Sequence, residues 1–222
     1  EVVLDTETTG LKVSDGHRIV EIGCIELKDL IPTKNKFHCY LNPERKVSEA
    51  AFKIHGYNDD FLSKQKKFSD VADQFLEFID GKRLVIHNAE FDMAHLNNEL
   101  KLLGKDQIKE EVIDTLQIVR DKFPGSGISL DALCKRFFVD NSNRTLHGAL
   151  LDSEILAEVY LELVGGKEPD LELSTNKTER IEDYENNYST SLTRKNKLKS
   201  RISDIDEKNH REFLASLPKE PL

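Results

Sequence analysis

The sequence predicts an α/β fold: a mixed sheet of five strands flanked by helices, followed by a flexible linker and a short C-terminal helical segment. Three observations carry this. Short β-branched runs alternate with segments of helical periodicity over residues 1–164. Turn residues such as Asp15-Gly16 and Pro32 separate the first runs closely enough for a meander. From Gly165 onward the chain becomes too poor in apolar side chains to offset the entropy of ordering them.

The elements follow in order. Val2 to Glu7 reads as the first strand, Ile19 to Leu27 as the second and Phe37 to Leu41 as the third. A helix is expected near Phe68 to Ile79, then a short buried strand, Leu84 to Ile86, and a helix from Phe91 to Leu103 stopped by Gly104. Val112-Ile113 makes a fifth strand. Helices follow at Thr115 to Lys122, Ser129 to Phe138 and Gly148 to Val164, the last with Leu151, Ile155, Val159 and Leu163 every four residues.

Beyond the linker, Ser203 is placed to cap a helix whose first turn holds Asp204, Asp206 and Glu207, and Pro218 closes the pattern. Ile202, Ile205, Phe213, Leu214 and Leu217 suit it for docking, on a partner or back on the first domain. The expected division is 1–164, a folded domain; 165–202, a flexible linker; and 203–222, a docking segment. The basic cluster at Arg194, Lys195, Lys197, Lys199 and Arg201 reads first as solvation of that linker.

Composition excludes several classes. The 222 residues are 33% charged and 38% apolar, with no run near the roughly 20 apolar residues of a membrane-spanning helix. The opening Glu1-Val2-Val3-Leu4-Asp5 lacks the basic region of a secretory signal, so an intracellular protein is expected. Residue 1 is not Met, and the natural start is expected elsewhere. Cys24, Cys39 and Cys134 are widely spaced among apolar neighbours and read as buried free thiols. A net charge of −9 argues against broad gripping of a nucleic-acid duplex, but not against an enzyme that handles one strand end.

Three acidic stretches carry the chemistry. Asp5 and Glu7 alternate onto one face at the end of the first strand. Two anions in one small space raise each other's pKa unless a cation sits between them. Asp92 lies in His87-Asn88-Ala89-Glu90-Phe91-Asp92, directly after the buried strand Leu84 to Ile86; helix capping alone would also explain it. Glu90 is expected to leave in another direction. Asp152 falls on the inward stripe of its helix with Ala149, Ile155, Leu156 and Val159, where an unpaired carboxylate is costly. His147 can face the same site only from the preceding loop, a bend that Gly148 permits. Asp5, Glu7, Asp92 and Asp152 together make an all-oxygen set suited to two Mg²⁺ or Mn²⁺ ions and to phosphodiester chemistry. A neutral His147 could then take the proton of the attacking water.

Asp5-x-Glu7, His87-Asn88-x-x-Phe91-Asp92 and His147-x-x-x-x-Asp152 resemble the three motifs of the DEDDh 3′→5′ exonucleases, which have a ribonuclease-H-like fold. More narrowly, Asp5-Thr6-Glu7-Thr8-Thr9-Gly10-Leu11, Ile54-His55-Gly56, Ser129 to Cys134 and Arg144 to Asp152 are similar to the proofreading (epsilon) subunits of bacterial DNA polymerase III. The resemblance implies that Asp5, Glu7, Asp92 and Asp152 hold the metals, that His147 is the general base, and that Glu7, Leu11, His55, Phe91 and Asp152 meet the substrate. Ala50 stands where relatives carry a glutamate that touches the nucleotide, and Asp114 is sufficiently explained as a helix cap.

The activity so implied is removal of mismatched 3′-terminal nucleotides as nucleoside 5′-monophosphates. The implied partners are a DNA 3′ end, the polymerase alpha subunit through residues 203–222, a theta-like subunit and the sliding clamp. Lys167 to Leu173 matches a clamp motif poorly, lacking its leading glutamine. The location implied is the cytoplasm, at the replisome. Two alternatives stand beside this reading: a free-standing DEDDh enzyme that trims RNA or short oligonucleotides, and a subunit that mainly tethers the polymerase.

Overall fold

A computed structural model of the chain describes residues 1–165 and 203–216, which fall in two separate compact units. The linker expected over 165–202 therefore lies almost wholly outside the described residues. So do its basic cluster, the Lys167 to Leu173 segment, and Ile202, Leu217 and Pro218.

The first unit is built on a five-stranded sheet. Its strands are β1 (Val2–Thr8), β2 (Ile19–Lys28), β3 (Ile31–Tyr40), β4 (Leu84–Ile86) and β5 (Val112–Asp114). Their order is β3-β2-β1-β4-β5. β1, β2 and β3 pair antiparallel, whereas β4 lies parallel to both β1 and β5. The sheet is mixed, as the sequence predicts.

Two differences concern the β2–β3 hairpin. β3 begins at Ile31, six residues before the expected Phe37, and Pro32 lies inside it rather than in the turn. Proline is tolerated there because β3 is an edge strand and the pairing is irregular between Ile25 and Leu27. The turn itself is Asp29-Leu30, both at positive φ (52° and 66°), the backbone form that matches the twist of a tight hairpin.

Strand alternation sorts the core onto two faces. Val2 and Leu4 of β1, with Leu84 and Ile86 of β4, pack on one side against α3 (Phe68–Ile79) and α4 (Ala89–Leu102). Val3 and Val85 point the other way. There they meet α5 (Thr115–Lys122), α6 (Leu130–Phe137) and α7 (Ala149–Leu163). Asp5 and Glu7 share the parity of Val3, so the first strand delivers them to the α7 side. Thr6 shares that of Leu4.

Two short helices were not legible: α1 (Glu49–His55) and α2 (Asp59–Leu62). Each is capped locally, by Ser48 onto the Ala51 N–H and by Asn58 onto the Phe61 N–H. Cys24 and Cys134 are buried free thiols, as expected, but Cys39 is only partly covered.

In the second unit, α8 (Asp204–Ser216) forms where the sequence places a terminal helix. Ser203 Oγ accepts from the Asp206 N–H while the Asp206 carboxylate accepts from the Ser203 N–H, a reciprocal cap. Ile205, Phe213 and Leu214 are exposed. No helix among the described residues is long and apolar enough to cross a membrane.

Candidate active site

The three acidic stretches converge. A cleft of about 330 Å³ at the C-terminal ends of β1 and β4 is lined by Asp5, Glu7, Asp92, His147 and Asp152. Phe91, Asp131 and Arg144 line it too. Glu90 is exposed and absent from the cleft, as its place at the helix entrance implied.

Each acid is aimed by a different local device. Asp5 and Glu7 follow from strand alternation, in register with Gly23 and Glu21 of β2. Asp92 sits in the first turn of α4 but does not cap it. Its Oδ1 accepts from the Thr6 N–H (3.0 Å) and Thr6 Oγ (2.7 Å), which fixes the carboxylate against β1. Asn88 before that helix is left-handed (φ 69°), and its N–H donates to Asp114 Oδ1 at 3.1 Å. Asp114 also caps α5 through the Leu116 N–H, so it holds the entry to α4 as well as the helix it starts.

Asp152 and His147 come from the α7 region. Ala149, Ile155, Leu156 and Val159 are buried around Asp152, which is itself 4% exposed. His147 lies in the preceding loop, as the helical angle requires, and its N–H donates to the Ile54 carbonyl at 3.1 Å. Gly148 has φ −156°, an extended value open to any residue. The expectation that its flexibility makes the bend is therefore corrected. A Cβ at position 148 would stand 3.3 Å from the Tyr57 hydroxyl, a tight contact that a small shift of that side chain would have to admit.

Arg144 is the permanent cation lining this cleft. Its Nε and Nη2 donate to the two oxygens of Asp152 at 2.5 and 2.7 Å, Nη1 donates to Asp131 at 2.9 Å, and Nη2 also donates to His147 Nδ1 at 2.9 Å. That last bond assigns the neutral His147 its proton on Nε2. Burial and the neighbouring guanidinium lower the His147 pKa, against the pull of Asp152.

The other acids are pushed the opposite way. Burial raises Asp5 well above the carboxylate range, with Asp92, Glu7 and Asp152 adding repulsion. Glu7 is raised to about 8 by burial and then by Asp152 and Glu21. Asp92 is raised to about 7 by burial, although the two Thr6 donors oppose the shift.

A site with this excess of buried negative charge fits a divalent cation. One oxygen each from Glu7 and Asp152 and a ring nitrogen of His147 lie within 4.8 Å of one another. Asp5 and Asp92 line the same cleft outside this closest group.

A second hollow of about 400 Å³ adjoins the first, sharing Glu7, Ile54 and Phe91 with it. Leu11, Ala50 and His55 also line it. Leu11 is 76% exposed, an apolar wedge in the open, whereas His55 is 2% exposed. His55 Nδ1 accepts from the Tyr57 N–H, which leaves the proton on the buried Nε2, beside the Thr8 backbone. Burial lowers the His55 pKa. Of the substrate residues inferred from sequence, Glu7, Leu11, His55 and Phe91 meet in this hollow, and Asp152 stands in the adjoining cleft.

Sequence reasoning assigned no role to Arg144, Thr6 or Glu21. A signal existed for the last: Glu21 is a lone acid inside the apolar run Ile19-Val20-Glu21-Ile22.

Comparison with known proteins identifies the family. The family model described as Exonuclease (RNase_T) matches residues 2–160. The DNA polymerase III subunit epsilon of Rickettsia felis is 46% identical over 223 residues, covering 99% of this chain and 97% of that protein. The subunit of the same name from Escherichia coli K12 is 49% identical over 175 residues, 75% of this chain and 72% of that one. Among solved structures, exonuclease X in complex with 5′ overhanging duplex DNA superposes with a TM-score of 0.60 at 25% identity, covering 74% of this chain and 91% of that one. The nuclease domain of 3′hExo, a DEDDh family member bound to rAMP, shares the fold with a TM-score of 0.65 at 18% identity, over 74% and 91% of the two chains. The chain belongs to the exonuclease (RNase_T) family, and within it to the DNA polymerase III epsilon proteins.

Proposed function

We propose that this chain is the proofreading 3′→5′ exonuclease of a bacterial replicative polymerase and that Asp5, Glu7, Asp92, Asp152 and His147 carry the reaction. The observation that carries the reading is the meeting of four carboxylates and one histidine from three remote stretches in one open cleft. Asp5, Glu7, Asp92 and Asp152 would hold two divalent ions, Mg²⁺ or Mn²⁺. Such ions, when bound, would supply a nucleophilic water and screening of the departing 3′ oxygen.

The chain's own groups do the rest. Thr6 holds Asp92 by one oxygen and leaves Oδ2 for the cleft. His147, kept neutral by burial and by Arg144, accepts the proton of the attacking water. Its Nδ1 takes part once Arg144 Nη2 moves off that lone pair. The terminal nucleoside enters the adjoining hollow, where Leu11 and Phe91 press on the base and the buried His55 forms part of the wall. A mismatched end frays at lower cost than a paired one, so mismatches are removed first.

Residues 1–164 would form the nuclease, 165–202 the tether and 203–222 the contact with the alpha subunit. A tether raises the nuclease's effective concentration at the primer end without adding contacts. A cytoplasmic, replisome-bound location follows from that role. Relatives matched over nearly their whole length are polymerase subunits, which speaks against a free-standing RNA trimmer.

The test is degradation of labelled primers, matched or mismatched only at the last base, in Mg²⁺ or Mn²⁺. Faster loss of the mismatched end, abolished by Asp5→Ala, is expected. Faster turnover of an RNA end of equal length would favour the trimming enzyme instead.

A further inference from the structure

Glu21 lies behind the reaction cleft. It sits on β2 directly across from Glu7 on β1 and is 2% exposed. Its carboxylate has three donors from three distant parts of the chain. Oε2 accepts from the Ala149 N–H (2.9 Å) and the Tyr57 hydroxyl (2.7 Å), and Oε1 from His38 Nε2 (2.7 Å).

Ala149 is the first residue of α7, and its N-cap, Gly148, has no side chain with which to satisfy the free N–H groups of the first turn. Glu21 supplies that cap from 128 residues away, with a negative charge at the positive end of the helix. The approach is close: a Cβ on Gly23 would stand 2.3 Å from the Ala149 carbonyl carbon, and Ser153 Oγ donates to the Gly23 carbonyl at 2.9 Å. α7 is thus pinned to β2 at the turn that presents Asp152, just after the loop that presents His147.

The Tyr57 hydroxyl joins Glu21 to the other wall. Tyr57 stacks on His55 with ring centroids 4.9 Å apart, and the His147 N–H donates to the Ile54 carbonyl. One carboxylate therefore joins the nucleoside hollow to the helix that carries Asp152.

Its location is electrostatically unfavourable. Glu21 adds repulsion to both Glu7 and Asp5 and raises their pKa values. A local cap at position 148 would avoid a further anion, but a side chain there crowds the Tyr57 hydroxyl. A carboxylate kept beside Glu7 and Asp5, held by three donors and without a basic partner of fixed charge, is placed for geometry more than for stability.

We propose that Glu21 is a positioning residue for the exonuclease reaction, holding the first turn of α7 and Tyr57 so that Asp152 and His147 face Asp5 and Glu7. The inference rests on the exonuclease reading above, so wild-type protein is assayed in parallel. Glu21→Ala is expected to lower kcat by about 100-fold with KM changed less than about threefold, since misplacement of a reacting group by an ångström costs about that much. Glu21→Gln should recover most of kcat, because its carbonyl oxygen still accepts from Ala149 and Tyr57. Amide hydrogen exchange supplies a readout besides activity: exchange at Ala149 should quicken in the Ala variant and stay slow in the Gln variant.

Unchanged kcat in a folded Glu21→Ala protein overturns the proposal, as does a Gln variant as impaired as the Ala one. If the Ala variant does not fold, Tyr57→Phe decides, because it removes one donor and no volume of the ring. A several-fold fall in kcat supports the joint, and wild-type kcat overturns it. A wild type with no exonuclease activity would overturn the exonuclease reading itself, and this inference with it.

Discussion

Arg144 grips Asp152 through both carboxylate oxygens, and the two side chains are 7% and 5% exposed. The guanidinium thus supplies at Asp152 the positive charge that a divalent ion would otherwise bring. The same side chain donates to His147, so one residue restrains both members of the third motif.

Removing one partner of a buried ion pair leaves the other charge uncompensated, at a cost of about 3–5 kcal/mol. Arg144→Ala is therefore expected to destabilise the protein by about that amount in EDTA. Mn²⁺ should restore part of the loss by meeting Asp152 itself. Urea denaturation with and without Mn²⁺ measures both; equal stability of mutant and wild type in EDTA would contradict the pairing.

Stability and activity should move in opposite directions at Asp5. Its carboxyl is pushed up by burial and by Asp92, Glu7 and Asp152, so Asp5→Asn relieves repulsion. Exonuclease activity is expected to fall at least about 100-fold, or more than about 2.7 kcal/mol in the barrier, while the metal-free melting temperature rises. A fall in both would make Asp5 a structural residue.

The acidic cluster also sets a pH dependence. Glu7 at about 8 and Asp92 at about 7 lie above their unfolded values of 4.5 and 3.8, so the folded chain holds protons that the unfolded chain has released. For an acid raised in this way, stability is greatest below the unfolded pKa and falls as pH rises toward the folded one. The metal-free melting temperature should therefore receive a falling contribution from this cluster between about pH 4 and 8. Divalent ions should stabilise most at the upper end. A ΔTm on adding Mn²⁺ that does not grow from pH 6 to pH 8 would oppose this.

Phe91 and Leu11 line the hollow beside the carboxylates. Base contacts with such side chains contribute about 1–3 kcal/mol by alanine substitution. Phe91→Ala is expected to reduce kcat/KM for a mismatched primer end by about tenfold, with the larger change in KM. Steady-state kinetics on a short single strand checks this.

Deletion of residues 165–222 should leave nuclease activity in place, because both apolar clusters and all five proposed catalytic positions lie within residues 1–164. Co-elution with the polymerase should be lost. Retained co-elution would move the contact to the nuclease domain.

Much of the molecule was legible where the signal is local. β4 and α3 match their expected limits, because β4 is a short apolar run and α3 buries Phe68, Val71, Ala72, Phe75 and Ile79 at helical spacing. α1 is not legible in the sequence because Glu49 to His55 has no apolar stripe, and a cap at Ser48 holds it. The first half of β3 is not legible because an edge strand buries little and shows little pattern. The acids and His147 were identified from alternation, helical angle and motif, whereas Glu21, Thr6 and Arg144 act through partners 8 to 128 residues away.

The sequence alone determined the mixed sheet, the identity of the acidic residues and the faces they occupy, because side-chain direction follows from the period of strand or helix. Tertiary structure decided which groups share a hydrogen bond. Arg144 on Asp152, Thr6 on Asp92 and Glu21 on Ala149 depend on how α4 and α7 close onto the sheet, and distances of that order are set by packing between remote segments, where spacing along the chain carries no information.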